Sequence, residues 1–111
     1  MTAGQLKLLI NNIFSIIRIK NVVIALLCVV IAFLKINESI LQFNSIITAS
    51  VIILLMMGSN IINDIYDINS DRINRPNRVL IQNPHLVKRF SVLCGVMILS
   101  AILLSFLLNM Y

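Results

Sequence analysis

Apolar and polar positions divide the chain into three long apolar blocks separated by short polar segments. The blocks without a charged side chain are residues 21–34, 39–63 and 90–111. A helix of about 20 predominantly apolar residues is needed to cross a bilayer. The pattern therefore predicts an all-α integral membrane protein with three transmembrane helices, which we place at about residues 16–35, 45–63 and 90–108.

The first apolar block is shorter than the other two. Its helix reaches the length of a span if it begins near Ile16, with Arg18 and Lys20 extending their charged ends to the lipid headgroups. Apolar side chains also recur at helical spacing before this point, at Leu6, Leu9, Ile10, Ile13, Ile16 and Ile17. We therefore predict an amphipathic N-terminal helix over residues 1–20, which can lie in the membrane interface before the chain enters the bilayer.

The second helix is predicted to continue beyond the membrane. Pro76 ends a helix at or near its own position, so the helix is expected to run through the polar segment as far as that residue. Residues 77–83 are predicted to form a loop. Asn83 and Pro84 are typical of the N-cap and the first position of a following helix.

Composition and charge place this chain among membrane proteins. Apolar residues make up 59% of its 111 residues and charged residues 12%, against a charged share of about 25% in soluble domains. The net charge of +5 comes mainly from two groups, Lys7, Arg18 and Lys20 before the first span, and Arg72, Arg75, Arg78, Lys88 and Arg89 between the second and third. The positive-inside rule places both groups, with the N-terminus, on the cytoplasmic side of the plasma membrane. We expect membrane lipids, and no nucleic acid, as partners of these basic residues.

Three aspartates stand at the end of the second apolar block. Asp64, Asp67 and Asp71 follow the spacing i, i+3, i+7, which on a helix places them within about 60° of one another. Asn60 lies on the same stripe, one turn earlier. Carboxylates on one face beside a membrane repel one another, and a bound cation removes that repulsion. Because Mg²⁺ prefers carboxylate oxygens, the stripe predicts a magnesium site with Asn60 as a neutral oxygen donor.

Arginines follow the aspartates directly. Arg72, Arg75 and Arg78 can each neutralise phosphate oxygens in a bidentate manner. An acidic stripe next to a basic cluster at a membrane surface indicates a substrate with a diphosphate head and a lipid tail. Magnesium and the arginines would then stabilise diphosphate as a leaving group.

The spacing of the same residues allows one other interpretation and excludes a second. In a solvated helix end without a ligand, Asp71 would pair with Arg75 at i, i+4, and spacing alone leaves this interpretation open. An EF-hand loop beginning at Asp67 is excluded, because its sixth and twelfth positions are Arg72 and Arg78 instead of glycine and glutamate.

The residue pattern of this segment resembles a motif of a known protein family. The pattern Asn63-Asp64-x-x-Asp67-x-x-x-Asp71, followed by Asn74-Arg75-Pro76-x-Arg78, resembles the first aspartate motif of the UbiA superfamily of intramembrane prenyltransferases. Its form is most similar to the branch that makes archaeal-type ether lipids, the geranylgeranylglycerol-phosphate geranylgeranyltransferases. Arg18-x-x-Asn21 resembles the RxxN pattern at the start of the family's first helix.

This resemblance implies a fold, an activity and a set of site residues. The fold would be the first part of a nine-helix bundle. The activity would be Mg²⁺-dependent transfer of a prenyl group from a prenyl diphosphate to a lipid or aromatic acceptor, with geranylgeranylglyceryl phosphate as one candidate. By this resemblance, Asp64, Asp67 and Asp71 are the catalytic residues that bind Mg²⁺ and diphosphate, with help from Asn60 and Asn63. Arg18 and Asn21 would line the same cavity. Arg72, Arg75 and Arg78 would contact phosphate.

The chain also departs from the family pattern. The family has a second aspartate motif on a later helix, whereas Glu38 is the only acidic residue here outside the first motif. Val79 stands where the family commonly has proline. We therefore expect a fragment of such an enzyme, inactive when isolated. A homodimer that brings two aspartate stripes together is an alternative, and so is a non-catalytic three-span scaffold or lipid-binding protein. The acceptor and the prenyl chain length stay open.

Overall fold

The computed structural model describes residues 3–36 and 42–108, and every regular element in these two ranges is a helix. The helices are α1 (Ala3–Ile16), α2 (Ile19–Lys35), α3 (Phe43–Tyr66), α4 (Ile68–Asn74), α5 (Val79–Gln82) and α6 (Leu86–Leu108). The predicted all-α fold is confirmed. Residues 1–2, Glu38 and most of the turn between the first two predicted spans lie outside the described residues.

Two helices of the described chain can cross a membrane on their own. α3 has 24 residues and α6 has 23, and at about 1.5 Å per residue each exceeds the roughly 30 Å of a hydrocarbon core. Residues Ile10–Ile16 and Ile19–Lys35 supply a third span if the two pieces, which are bent by 60°, count as one. The apolar helices therefore mark a membrane protein.

The first predicted span is divided by a sharp break. α1 ends at Ile16 and α2 begins at Ile19, and Arg18 between them has φ 51° and ψ 60°, in the left-handed region. A residue other than glycine pays about 1–2 kcal/mol for this conformation. The sequence predicted an interfacial helix over residues 1–20 that turns into a span from about residue 16, but no helix end at Ile16, because neither glycine nor proline marks the break.

The polar end of α3 is nearly continuous with α4. The amide of Asp67 bonds the carbonyl of Asn63 at 2.9 Å, and the amide of Asp71 bonds the carbonyl of Asp67 at 2.8 Å. Helical hydrogen bonding thus passes through the junction. α4 ends at Asn74, two residues before Pro76, as the proline rule predicts.

The segment predicted as a loop contains a short helix. α5 occupies Val79–Gln82, and Leu80 on it is buried. Asn83 does not cap α6 with its side chain but donates to the carbonyl of Val79 at 3.1 Å. Its carbonyl accepts from the amide of Leu86 at 2.9 Å, so α6 begins two residues beyond Pro84 instead of at it.

α3 is the helix against which both α2 and α6 pack. It approaches α6 closely at Gly58, where an added Cβ would lie 3.1 Å from Cγ1 of Ile98. The thiol of Cys94 also donates to the carbonyl of Gly58 at 3.3 Å. A small residue at position 58 therefore sets the distance between the two long helices.

The main apolar cluster lies at one end of these helices. Its buried members are Ile16, Ile17, Ile61, Leu80, Phe90 and Cys94. Three of these residues neighbour charged side chains: Ile17 precedes Arg18, Ile61 lies one turn before Asp64, and Leu80 follows Arg78 by two residues. The cluster therefore holds the ends of α1, α3 and α5 in place, together with the polar groups that they carry.

Candidate functional site

Asp64 is the centre of a buried ion-pair cluster. The residue is 8% exposed, and its Oδ1 accepts hydrogen bonds from Arg18 Nη2 at 2.7 Å and Arg78 Nη1 at 2.6 Å. These arginines come from the break before α2 and from the residue before α5. One carboxylate oxygen thus joins three separate parts of the chain.

Asp71 is the second buried carboxylate of the cluster. It is 7% exposed, and its Oδ2 lies 3.1 Å from Arg78 Nη1. This ion pair lacks the geometry of a hydrogen bond, so Oδ2 is a buried oxygen without a hydrogen-bond partner. Arg78 therefore bridges two carboxylates but satisfies only Asp64. Asp71 pairs with Arg78, not with Arg75 at i, i+4 as in the solvated-helix interpretation.

The break at Arg18 is fixed to α3 by a second polar contact. Asn60 Nδ2 donates to the carbonyl of Ile17 at 2.9 Å. Carbonyl groups near a helix end lack intrahelical partners and need one from elsewhere when they are buried. Asn60, predicted as a metal or substrate helper, here bonds the backbone that carries Arg18. This bond and the Asp64 ion pair together offset the strain of the left-handed residue.

Asp67 stands apart from the other two aspartates. Its Oδ2 accepts from Asn63 Nδ2 at 3.0 Å, in an exposed position. Asp64 and Asp71 share Arg78, so the structure brings two of the three predicted carboxylates together. Within residues 3–36 and 42–108, no three His, Cys, Asp or Glu side chains are grouped closely enough to hold a metal ion.

A polar cavity of about 370 Å³ opens beside the ion pairs. It is lined by Ser15, Ile16, Arg18, Asn21, Asp64, Arg78 and Val79. Four of these residues were predicted from the two sequence motifs. Ser15, Ile16 and Val79 were not predicted as site residues, because a serine or an isoleucine on an amphipathic helix and a valine after a motif carry no signal of their own.

The remaining predicted site residues lie outside this cavity. Arg72 and Arg75 are exposed on and just after α4, and Asn63 is exposed at the end of α3. Arg18, Asn21, Asp64 and Arg78 thus form one polar lining. The cavity combines two cations with a buried carboxylate, which is an arrangement that can hold an anion together with a cation.

Curated relatives of the chain share one name. A digeranylgeranylglyceryl phosphate synthase of Sulfurisphaera tokodaii is 35% identical over 99 residues, which are 88% of this chain and 36% of the relative. Synthases of the same name from Saccharolobus solfataricus and Methanococcus aeolicus are 30% and 34% identical, over 92% and 95% of this chain and 36% and 38% of their own lengths. No protein-family model matches the chain, and no solved structure matches it.

The chain therefore spans a little over a third of the length of the curated relatives it matches. The similarity covers most of the chain, including both the Arg18–Asn21 and the Asn63–Asp71 motifs within the matched length of 107 residues in Methanococcus aeolicus. On these similarities, the resemblance to UbiA-type prenyltransferases that the motifs predict is confirmed, for about a third of the length of the synthases it matches.

Proposed function

We propose that this chain carries a Mg²⁺-dependent binding site for a prenyl diphosphate and serves in the transfer of the prenyl group to a lipid acceptor. The observation that carries the proposal is the pair of buried carboxylates, Asp64 and Asp71, joined by Arg78 beside a polar cavity. The name of its relatives, digeranylgeranylglyceryl phosphate synthase, supports geranylgeranylglyceryl phosphate as the acceptor.

The residues of the cluster fit a hard divalent cation. Asp71 Oδ2 is buried without a hydrogen bond, and an oxygen in that state is costly unless something binds it. Mg²⁺ is held by one or two carboxylates and otherwise by water and substrate phosphate. Asp64 and Asp71 would supply these carboxylates, and Asp67 would add a third by turning from Asn63. When bound, the cation would neutralise charge on the diphosphate.

The arginines and Asn21 would bind the diphosphate itself. Arg18 and Arg78 line the cavity with side chains that are 30% and 24% exposed, so their remaining N–H groups can reach an anion there. During transfer, the C–O bond between the prenyl group and diphosphate breaks and its electron pair leaves with diphosphate. The acceptor hydroxyl oxygen bonds the prenyl carbon and releases its proton to water or to the departing diphosphate. Arg18 and Arg78 stabilise the charge that grows on the departing diphosphate.

The end of the helices that carries the Asp64 ion pairs, here called the site end, would face the cytoplasm at the plasma membrane. The break before α2 and the segment between α3 and α6 meet at this end, and they carry most of the basic residues. The positive-inside rule supports this orientation. A second copy of the chain would bring a second set of carboxylates to the same side, so we include the oligomeric state in the test.

Calorimetry on the complete chain in detergent micelles tests the proposal. Geranylgeranyl diphosphate should bind with Mg²⁺ and not with a chelator. Asp64→Asn and Asp71→Asn should each weaken that binding at least about tenfold, or about 1.4 kcal/mol. Glu38→Gln removes the same charge outside the motif and should retain wild-type affinity. The binding stoichiometry per chain, with the mass of the micelle complex, separates a monomeric site from a dimeric one.

Three results would contradict the proposal. Binding that is equal in chelator and in Mg²⁺ would show that the cluster is not a metal site. No binding under any condition would favour the non-catalytic scaffold. Binding without Mg²⁺ dependence that survives in Asp64→Asn would favour a lipid-binding protein instead.

A further inference from the structure

We propose that Arg18 and Arg78 act as exchangeable counter-ions of the buried carboxylates, so that Mg²⁺ and diphosphate bind together and neither binds well alone. In the protein without ligands the two arginines neutralise Asp64 and Asp71. When both ligands arrive, the cation takes the carboxylates and the arginines turn to the diphosphate. This inference rests on the proposed function and deepens it, because it couples the two binding events through the two arginines.

The charge of the cluster provides the first argument. Two guanidinium groups face two carboxylates, so the cluster is close to neutral before any ligand binds. Mg²⁺ alone would leave two uncompensated positive charges next to the arginines in a mostly buried site, where charge interactions are strong. Diphosphate alone would add negative charge next to the carboxylates. The two ligands together nearly cancel, which makes joint binding the favoured route.

The geometry of the ion pairs shows which contacts can exchange. Asp64 Oδ1 already accepts two hydrogen bonds, at 2.7 and 2.6 Å, so a cation at this oxygen has to displace an arginine. Asp71 Oδ2 lies 3.1 Å from Arg78 without a hydrogen bond. A cation that reaches Asp71 Oδ2 therefore has to displace an ion pair but no hydrogen bond. Because Arg78 bridges both carboxylates, a cation at Asp71 also weakens its hold on Asp64.

The backbone allows this exchange without a larger rearrangement. Asn60 holds the carbonyl of Ile17 at 2.9 Å, so the position of Arg18 does not depend on its ion pair alone. Leu80 anchors α5 in the apolar cluster, which fixes the chain next to Arg78. Both arginine side chains border the cavity and are partly exposed. Each guanidinium has five N–H donors and can turn to the cavity while its backbone stays in place.

A binding cycle on the complete chain in micelles tests the inference. Mg²⁺ and geranylgeranyl diphosphate are each titrated by calorimetry, alone and with the other ligand present. In the wild-type protein each ligand should raise the affinity for the other by at least about tenfold, and by the same factor in both directions. Arg78→Gln should bind Mg²⁺ alone about threefold to tenfold more tightly, since a competing cation is removed. The same variant should bind geranylgeranyl diphosphate in Mg²⁺ more weakly.

In Arg78→Gln the affinity for Mg²⁺ should rise while the affinity for geranylgeranyl diphosphate falls. A purely structural role for Arg78 would instead lower both affinities. Arg18→Gln should change the two affinities in the same directions, because Arg18 also binds Asp64. Thermal unfolding checks that both variants fold. Arg89→Gln is the matched control, because Arg89 is an exposed cation at the start of α6 outside the cavity. It should leave both affinities unchanged.

Several outcomes would overturn the inference. Mg²⁺ that binds the wild-type protein equally well with and without diphosphate would show that the ligands are not coupled. Arg18→Gln and Arg78→Gln variants that bind Mg²⁺ alone no more tightly than wild type would show that the arginines do not compete with it. If Mg²⁺-dependent binding persists in either case, the proposed function survives. If the wild-type protein shows no Mg²⁺-dependent binding, both the proposed function and this inference are wrong.

Discussion

The two ends of the helix bundle are built in different ways. At the site end, Ile61 is completely buried and the ion pairs of Asp64 connect three parts of the chain. At the other end, Leu34 of α2 and Phe106 of α6 are about 60% exposed, at 60% and 61%, as expected for helices in contact with lipid or with further protein. Lipid is as apolar as leucine, so apolar surface alone does not drive helices together in a membrane. The ion pairs of the described residues all lie at the end where the polar cluster is held.

Ile61→Ala should have the largest effect on stability. The side chain is fully buried between the elements that carry the site, and its truncation should cost about 2–5 kcal/mol of unfolding free energy. Equilibrium unfolding of the chain in mixed detergent micelles measures this loss. Leu103→Ala, on the exposed face of α6, is the control and should cost less than about 0.5 kcal/mol. Equal losses at both positions would contradict the contrast between the two ends.

Asp64→Asn should have the next largest effect. It leaves two guanidinium groups without their shared anion, which costs about 3–5 kcal/mol for a fully buried pair. Because the arginines are partly exposed, water offsets part of that loss, and we expect about 2 kcal/mol. Asp67→Asn removes the same charge three residues away, outside the ion pairs, and should stay within about 0.5 kcal/mol of wild type. The same unfolding measurement would contradict the central role of Asp64 if both variants lost equal stability.

Asn60→Ala should have a smaller effect at the same end. The substitution removes the hydrogen bond to the carbonyl of Ile17 and should cost about 1 kcal/mol. It should also loosen the break at Arg18, which hydrogen exchange of the backbone amides near residue 18 can detect. Asn63→Ala removes an exposed amide of the same type and should change neither quantity. Unchanged exchange in Asn60→Ala would show that this bond does not hold the break.

Substitutions at the glycines of α3 and α6 should have the smallest effects on stability. Gly95→Ala meets no atom within 4 Å and should gain up to about 1 kcal/mol from helix propensity. Gly58→Ala would bring a Cβ to 3.1 Å from Ile98, and the displacement of that side chain should cancel the gain. Thermal unfolding in micelles compares the two variants directly. A Gly58→Ala variant as stable as Gly95→Ala would show that the α3–α6 distance is not set by Gly58.

Two features of the structure could be anticipated from the sequence because they depend on local patterns. Uncharged blocks of membrane length predicted helices at about residues 45–63 and 90–108, and α3 and α6 begin and end within a few residues of these positions. Asp64 and Asp71 lie seven residues apart on a nearly continuous helix, so their shared direction follows from helical geometry. The predicted resemblance to UbiA-type prenyltransferases was confirmed by the names of the curated relatives.

The contacts within the site could not be predicted in the same way. Arg18 takes a left-handed conformation without a glycine signal, because the strain is offset by groups on α3 that are more than 40 residues away. Arg78 reaches Asp64 across 14 residues, which requires α5, a helix of four residues inside a predicted loop. Asp67 turns outward to Asn63, since its position at the α3–α4 junction gives it a partner of its own. These features arise from tertiary packing, not from spacing along the chain.

The most direct test replaces Mg²⁺ with Mn²⁺, another hard cation that prefers oxygen ligands, and examines the bound ion by pulsed EPR. In the complete chain with geranylgeranyl diphosphate, we predict protein-bound Mn²⁺ with a ³¹P coupling from directly coordinated diphosphate. The coupling should disappear in the Asp64→Asn, Asp71→Asn double variant and persist in Glu38→Gln. Mn²⁺ that shows the same ³¹P coupling in the double variant, or that binds the wild-type protein without any, would contradict a metal–diphosphate site at these carboxylates.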